Sequence, residues 1–334
     1  MAHASSELLT RLLRDVSRSF YLTLRVLPAR LRAPIGLAYL LARTTDTIAD
    51  TGLISLEQRL ESLRRLQQRI AGQGSEPLNF NGLAERQALP AEALLLQQTE
   101  GALALLAEMA PGDRQLIREV LAIITSGQEL DLVRFAASSR DHITALQTDE
   151  ELDDYTYRVA GCVGLFWTRL CRAHLFPQAR LDMETLLGNA VRFGKGLQLV
   201  NILRDIPADV GQGRCYLPRP GLESCGLQPA DLLDPRVEPK FRSVYSLWLE
   251  RAQGHLEAGW TYTNSLPHSC MRVRLACAWP LLIGTRTLKL LRTSNVLEPN
   301  RRVKVPRAEV RRLIARTVLW YPWPGRWKRL FADA

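Results

Sequence analysis

Cysteine pairs, histidine clusters and long apolar runs are all missing from this chain of 334 residues. Its six cysteines, at 162, 171, 215, 225, 270 and 277, form no CxxC and keep no metal spacing with histidine. That excludes a zinc ribbon or finger and predicts a few buried, reduced thiols. His3, His142, His174, His255 and His268 are isolated in the sequence, and no role is assigned to any of them. No apolar run reaches the roughly 18 residues of a membrane-spanning helix. The opening stretch, MAHASSELLTRLLRD, lacks the apolar core of a secretory signal, so a cytoplasmic location is expected. There is no convincing alternating run, no Asn-Gly hairpin, and no GxGxxG following a strand. Sheet architectures and a Rossmann nucleotide module are therefore not expected. Internal repeats and low-complexity tracts are absent as well.

What is present is helical pattern. The chain is 46% hydrophobic, enough to bury a sizeable core. Apolar residues recur at three- and four-residue spacing over most of residues 5–30, 33–50, 55–71, 91–109, 113–137, 150–175, 181–206, 240–264, 269–293 and 306–319. The stretches 71–90 and 211–239, rich in Gly and Pro, read as loops. The expectation is one all-α domain over residues 1–334. The acidic run DEELDD (149–154) should complement the dipole of the helix it precedes. The net charge of +10 is unevenly spread: from residue 301 onward ten basic residues face only Glu309 and Asp333. A basic end of this kind calls for an anionic partner.

Two carboxylate pairs stand out. In APIGLAYLLARTTDTIADTGL (33–53), Asp46 and Asp50 lie one helical turn apart, with Arg43 three residues before Asp46. In LQLVNILRDIPADVGQGRCYLP (197–218), Asp205 and Asp209 repeat the spacing, with Asn201 one turn earlier and Gln198 before it. A lone DxxxD is usually a solvated helix face. Two of them, the second in strongly apolar company, suggest faces that meet across a cavity with a cation between. Oxygen donors without His or Cys select magnesium or manganese, which bridges carboxylates to substrate phosphates. Arg43, Arg204 and Arg214 would then fork the phosphates. Pro207 is expected to kink or end the second helix near Asp205.

These segments resemble the squalene/phytoene synthases. SRSFYLTLRVLP (17–28), YLLARTTDTIADT (39–51), YTYRVAGCVGLFWTRL (155–170) and the 197–218 stretch match that family's pattern in order, over roughly residues 10–295. The resemblance implies an all-α isoprenoid synthase bundle around a central cavity. It implies head-to-head condensation of two prenyl diphosphates through a cyclopropyl intermediate. Within the family the chain is more similar to squalene synthases: Thr47 follows the first Asp, where phytoene synthases usually carry an acid. Ala49 departs from many relatives, which have Glu there. VLEPNRRVKVPRAEV (296–310) loosely resembles a segment implicated in NADPH binding, with Lys304 matching and Pro306 standing where a basic residue is expected, beside Arg307.

Carried over by position, the resemblance assigns magnesium (or manganese) to Asp46, Asp50, Asn201, Asp205 and Asp209. Ser17, Arg18, Ser19, Arg43, Arg204, Arg214 and Tyr216 would contact diphosphate, and Gln198 would orient the second motif. Arg18, Arg43, Arg204, Lys304 and Arg307 would hold NADPH. Phe20, Tyr39 and Tyr155 would lie beside the reacting carbons, and Val159–Gly161 with Gly164 would let a prenyl chain approach closely. The activity so implied is a squalene synthase acting on farnesyl diphosphate. The alternatives are a phytoene, dehydrosqualene or hydroxysqualene synthase, or a non-catalytic assembly factor on the same fold. Retention of both Asp motifs speaks against the last.

The end of the chain, TVLWYPWPGRWKRLF (317–331), sets Trp320, Tyr321, Trp323, Trp327 and Phe331 among Arg326, Lys328 and Arg329. Trp beside Arg favours a membrane interface, so residues 317–334 are expected either to contact the inner face of the cell membrane peripherally or to pack on the bundle as an ordinary last element. Nucleic acid is not an expected partner: no zinc site, RNP signature or basic recognition helix accompanies the charge.

Overall fold

In the computed structural model, which describes residues 12–14, 16, 20–298 and 302–334, nearly every element is a helix. The chain groups into two compact units, residues 1–133 with 166–177 and residues 134–165 with 178–334.

The first unit holds α1 (Phe20–Val26), α2 (Ala29–Asp50), α3 (Leu56–Ala71), α4 (Asn81–Ala84), α5 (Pro90–Gln97), α6 (Thr99–Glu108) and most of α7 (Pro111–Arg134). The pattern over 5–30 does not give one helix, because the chain breaks at Leu27–Pro28 before α2 begins. The run over 91–109 likewise divides at Gln98. α2 is buried along most of its length, with Leu31, Leu37, Leu41 and Ile48 fully covered. Two of its three buried threonines avoid a desolvation cost by bonding back along the helix, Thr44 to the Leu40 carbonyl and Thr45 to that of Ala42. α3 packs beside it through Leu63, Leu66 and Ile70. A capping box between Ser55 and Gln58 starts α3, and left-handed Gly72 stops it.

The second unit is built on α10 (Met183–Gly211) and α12 (Glu238–Ser265), which pack along each other. Around them lie α8 (Asp149–Thr156), a π-helical turn at Tyr157–Gly161, α11 (Arg219–Ser224), α13 (Met271–Thr293), α14 (Arg307–Trp320) and α15 (Pro324–Asp333). The π turn runs into α9 (Cys162–Leu175), whose residues 162–165 belong to this unit and whose remainder belongs to the first. Thr148 caps α8 by accepting from the Glu151 amide, and Asp149, Glu150 and Glu151 occupy its first turn. Asp182 caps α10 through the Thr185 amide. Its core includes Leu203, Phe241, Tyr245 and Leu256, all fully buried. Two short strands, β1 (Thr144–Ala145) and β2 (Arg214–Cys215), pair in parallel. No alternating pattern announces them, because two residues are too few to show one.

α10 does not stop near Asp205 but runs through Pro207 to Gly211. A proline in a helix leaves the carbonyl four residues earlier without its donor. Here that carbonyl belongs to Leu203, and the Tyr245 hydroxyl donates to it at 3.1 Å. The orphan is satisfied from the neighbouring helix, so α10 keeps Asp209 in register with Asp205.

Candidate active site

The first motif sits at the end of α2. Arg43 donates to Asp46 at 2.8 Å and to Glu92 of α5 at 2.8 Å. Burial opposes the Arg43 charge, but Asp46 and Glu92 outweigh it and hold the guanidinium above its ordinary range. Gln128 of α7, itself buried, donates its Nε2 to Asp46 at 3.2 Å. Asp50 is exposed one turn further on. Tyr39 is half-buried, its hydroxyl 3.5 Å from the Val16 carbonyl. Ser17, Arg18 and Ser19 lie outside the described residues, and so does the side chain of Phe20, the first residue of α1.

The second motif lies on α10, where Asn201, Asp205 and Asp209 follow one another at one-turn intervals. Asn201 is exposed, while Gln198, Asp205 and Asp209 are half-buried. Asp205 is the best-held group. Arg204 donates to its two oxygens at 2.9 and 2.6 Å, and Arg302 donates to the same two at 2.8 and 2.7 Å. Burial pushes this carboxyl up, but the two guanidinium forks outweigh it and hold it below the usual carboxylate range.

Gly213 makes the turn after α10 possible. It has a φ of 85°, and a methyl group there would lie 2.4 Å from the Ser139 carbonyl oxygen. The turn leads into β2, whose Arg214 lies over the Phe135 ring at 6.0 Å. Tyr216 is buried and stacks on Tyr155 with ring centres 4.7 Å apart, and it meets Phe135 edge-on at 5.3 Å. Tyr155 is thus gathered on one aromatic cluster with Arg214 and Tyr216, which lie 59 and 61 residues further along the sequence. Lys304 and Arg307 are exposed and have no carboxylate partner among the described residues.

The glycine reading is corrected. A methyl group at Gly164 of α9 would lie 2.1 Å from the Ala190 carbonyl oxygen, and one at Gly194 would lie 2.2 Å from that of Ala160. The space at Gly164 is taken by the α10 backbone, not left for a prenyl chain.

Three residues escaped the sequence reading. Gln128 and Glu92 carry no motif, and only contact with Asp46 and Arg43 reveals them. Arg302 had a signal, since it belongs to the basic end, but its partner lies 97 residues away.

The donors are suited to a hard cation. Among the described residues no three His, Cys, Asp or Glu side chains converge as a ready cage. Magnesium does not need one, since it usually takes one or two carboxylates and keeps water or phosphate oxygens for the rest. Gln128 supports the fit: its Oε1 is buried without a hydrogen-bond partner while its Nε2 holds Asp46. A hydrated cation at Asp46 would satisfy that oxygen.

Residues 13–309 match the sequence profile of the family described as squalene/phytoene synthase. The 15-cis-phytoene synthase of Synechocystis sp. is 29% identical over 311 residues, covering 90% of this chain and 80% of that protein. The Botryococcus squalene synthase of Botryococcus braunii is 26% identical over 291 residues, covering 84% of this chain and 56% of that protein. Among solved structures, TcSQS with the ligand E5700 superposes with a TM-score of 0.74 at 21% identity, covering 99% of this chain and 92% of that one.

Proposed function

The chain belongs to the squalene/phytoene synthase family of prenyltransferases, and on that premise we propose that it condenses two farnesyl diphosphates head to head to presqualene diphosphate and reduces this with NADPH to squalene. One observation carries the proposal. Each Asp motif sets carboxylates one turn apart on a helix and hydrogen-bonds its first to an arginine, Arg43 to Asp46 and Arg204 to Asp205. A carboxylate tied to an arginine on an apolar helix, found once in each motif, suits the handling of diphosphate.

Asp46 and Asp50 on α2, and Asn201, Asp205 and Asp209 on α10, would hold magnesium or manganese. A bound divalent ion neutralises charge on the departing diphosphate. The chain does the rest. Ser17, Arg18, Ser19, Arg43, Arg204, Arg214 and Tyr216 donate to diphosphate oxygens. Gln198 orients the second motif. Phe20, Tyr39 and Tyr155 offer aromatic faces that stabilise an allylic cation without attacking it. The apolar helices keep water from quenching it. Lys304 and Arg307 are open to phosphate, and with Arg18, Arg43 and Arg204 they would hold NADPH, which supplies hydride when bound.

The Synechocystis relative favours a second reading, a phytoene synthase. It would share the first half-reaction but take a longer diphosphate and lose a proton where the squalene reading adds hydride. Dehydrosqualene and hydroxysqualene synthases differ at the same step. The test is product analysis: purified protein with farnesyl diphosphate and magnesium, with and without NADPH, extracted for mass spectrometry. Squalene only with NADPH is expected. Presqualene diphosphate, dehydrosqualene or hydroxysqualene regardless of NADPH would move the chain to a sister activity, as would phytoene from geranylgeranyl diphosphate. Failure to turn over either diphosphate would overturn the enzyme reading.

A further inference from the structure

The aromatic and basic end of the chain divides between two faces. Tyr321 and Trp327 are buried, at 5% and 2% exposure. Trp327 donates its indole N–H to Asn264 at 2.8 Å. Trp260 stacks on Trp327 at 5.4 Å and on Phe331 at 5.7 Å. Arg274, also buried, lies 5.4 Å from both the Tyr321 and Trp327 rings. These side chains dock α14 and α15 on α12 and α13, so they are not available to a membrane.

The outer face is different. Val318, Leu319 and Trp323 are exposed by 46%, 62% and 50%. Helical spacing puts Arg311, Arg312 and Ala315 on the same side of α14, one to two turns earlier, and all three are exposed. Arg326 lies over the Trp323 ring at 5.7 Å. Arg286 takes Glu309, and Arg316 takes Asp333. That uses both carboxylates of the segment. Arg311, Arg312, Arg326, Lys328 and Arg329 are exposed without a carboxylate partner among the described residues. No described helix is long and apolar enough to cross a membrane.

We propose that this face docks on the surface of an anionic lipid bilayer, with Leu319 and Trp323 entering the headgroup boundary and Arg311, Arg312, Arg326 and Arg329 meeting lipid phosphates. The apolar knob is short and rimmed by cations, which suits lying on a bilayer and not spanning it. Charge selects this occupant over a second copy of the chain, because two copies meeting through this patch would oppose cation to cation. The exposed Val318 and Leu319 count against nucleic acid, whose phosphates would match only the arginines.

The test is flotation of the full chain with vesicles of phosphatidylglycerol and phosphatidylcholine, and with phosphatidylcholine alone, at about 0.1 M salt, where screening acts beyond about 10 Å. Binding to the anionic vesicles alone, weakened by added salt, is expected. L319S/W323S should bind at least about tenfold more weakly, a loss of about 1.4 kcal/mol. R311Q/R312Q/R326Q/R329Q should lose both the binding and its salt dependence. These side chains point outward, so circular dichroism and the thermal midpoint should stay near wild type in both variants. Wild-type protein that fails to float with anionic vesicles overturns the proposal. So does L319S/W323S floating as well as wild type. A wild-type dimer that L319S/W323S dissociates, seen by light scattering, would hand the face to a second copy and also overturn it.

Discussion

Asp205 accepts four hydrogen bonds from two guanidinium groups, so neither of its oxygens is open to a cation without a displacement. Arg204 is adjacent in sequence and cannot move far, whereas the Arg302 side chain is 53% exposed and is the one to leave. On the proposed reading, R302Q should therefore bind manganese several-fold more tightly than wild type without substrate, measured by electron paramagnetic resonance of the free ion. Equal affinity would show that Arg302 does not compete. Asp205→Ala should abolish turnover while leaving helical content intact by circular dichroism, and full activity in that variant would sink the metal reading. The core of this site is legible in the sequence because its spacing is local: Asp46 with Asp50 and Arg43, or Asp205 with Arg204, are neighbours on one helix. Arg302, Gln128 and Glu92 are not legible, because each reaches its partner through tertiary folding.

Among the elements, α10 shows how far local pattern carries. Its apolar spacing marks the helix from the start, but Pro207 argues for an end near Asp205. The helix continues because Tyr245 of α12 supplies the donor that proline lacks. No reading of residues 197–218 alone contains that fact. Y245F should cost about 1–3 kcal/mol by leaving the Leu203 carbonyl buried without a partner. In a P207A background, where the amide returns, the same change should cost less. A double-mutant cycle in urea reads the difference, and equal costs would mean that the hydroxyl does not serve the carbonyl. The contact between α9 and α10 has a sequence signal that invites the wrong meaning. Gly164 looks like room for substrate, yet it is room for a helix backbone. G164A should destabilise the fold by about 3 kcal/mol, as overpacking against a rigid carbonyl does. A urea midpoint unchanged from wild type would show that α9 can step aside. The broad plan, long helices with loops after 71 and 211, follows from periodicity and glycine. The breaks at Leu27–Pro28 and Gln98 and the π turn at Tyr157–Gly161 depend on what each helix packs against.

For the whole molecule, charge and burial set a direction for stability against pH. The chain carries +10 near neutrality, and acid adds to that self-repulsion. Two buried or paired groups add steeper terms. His255 on α12 is pulled down to about 4 from 6.5, first by burial and then by the cations of Arg192 and Lys195, and its Nδ1 is buried without a partner. It stays neutral in the folded chain while the unfolded chain takes a proton near 6.5. Proton uptake by the unfolded state therefore lowers stability as pH falls from about 6.5 to 4. Glu100 acts further down. Burial pushes its carboxyl up, but Arg69 and the Leu78 amide outweigh that and hold it below its ordinary 4.5. Its contribution is complete above 4.5 and is lost as pH falls through the lower folded value. The thermal midpoint should accordingly decline in two limbs on acidification. H255Q should flatten the limb between 6.5 and 4.5 and leave the lower one in place, because glutamine has no proton to take up in either state. Identical slopes for H255Q and wild type over the upper limb would mean that His255 accepts a proton as readily in the fold as outside it.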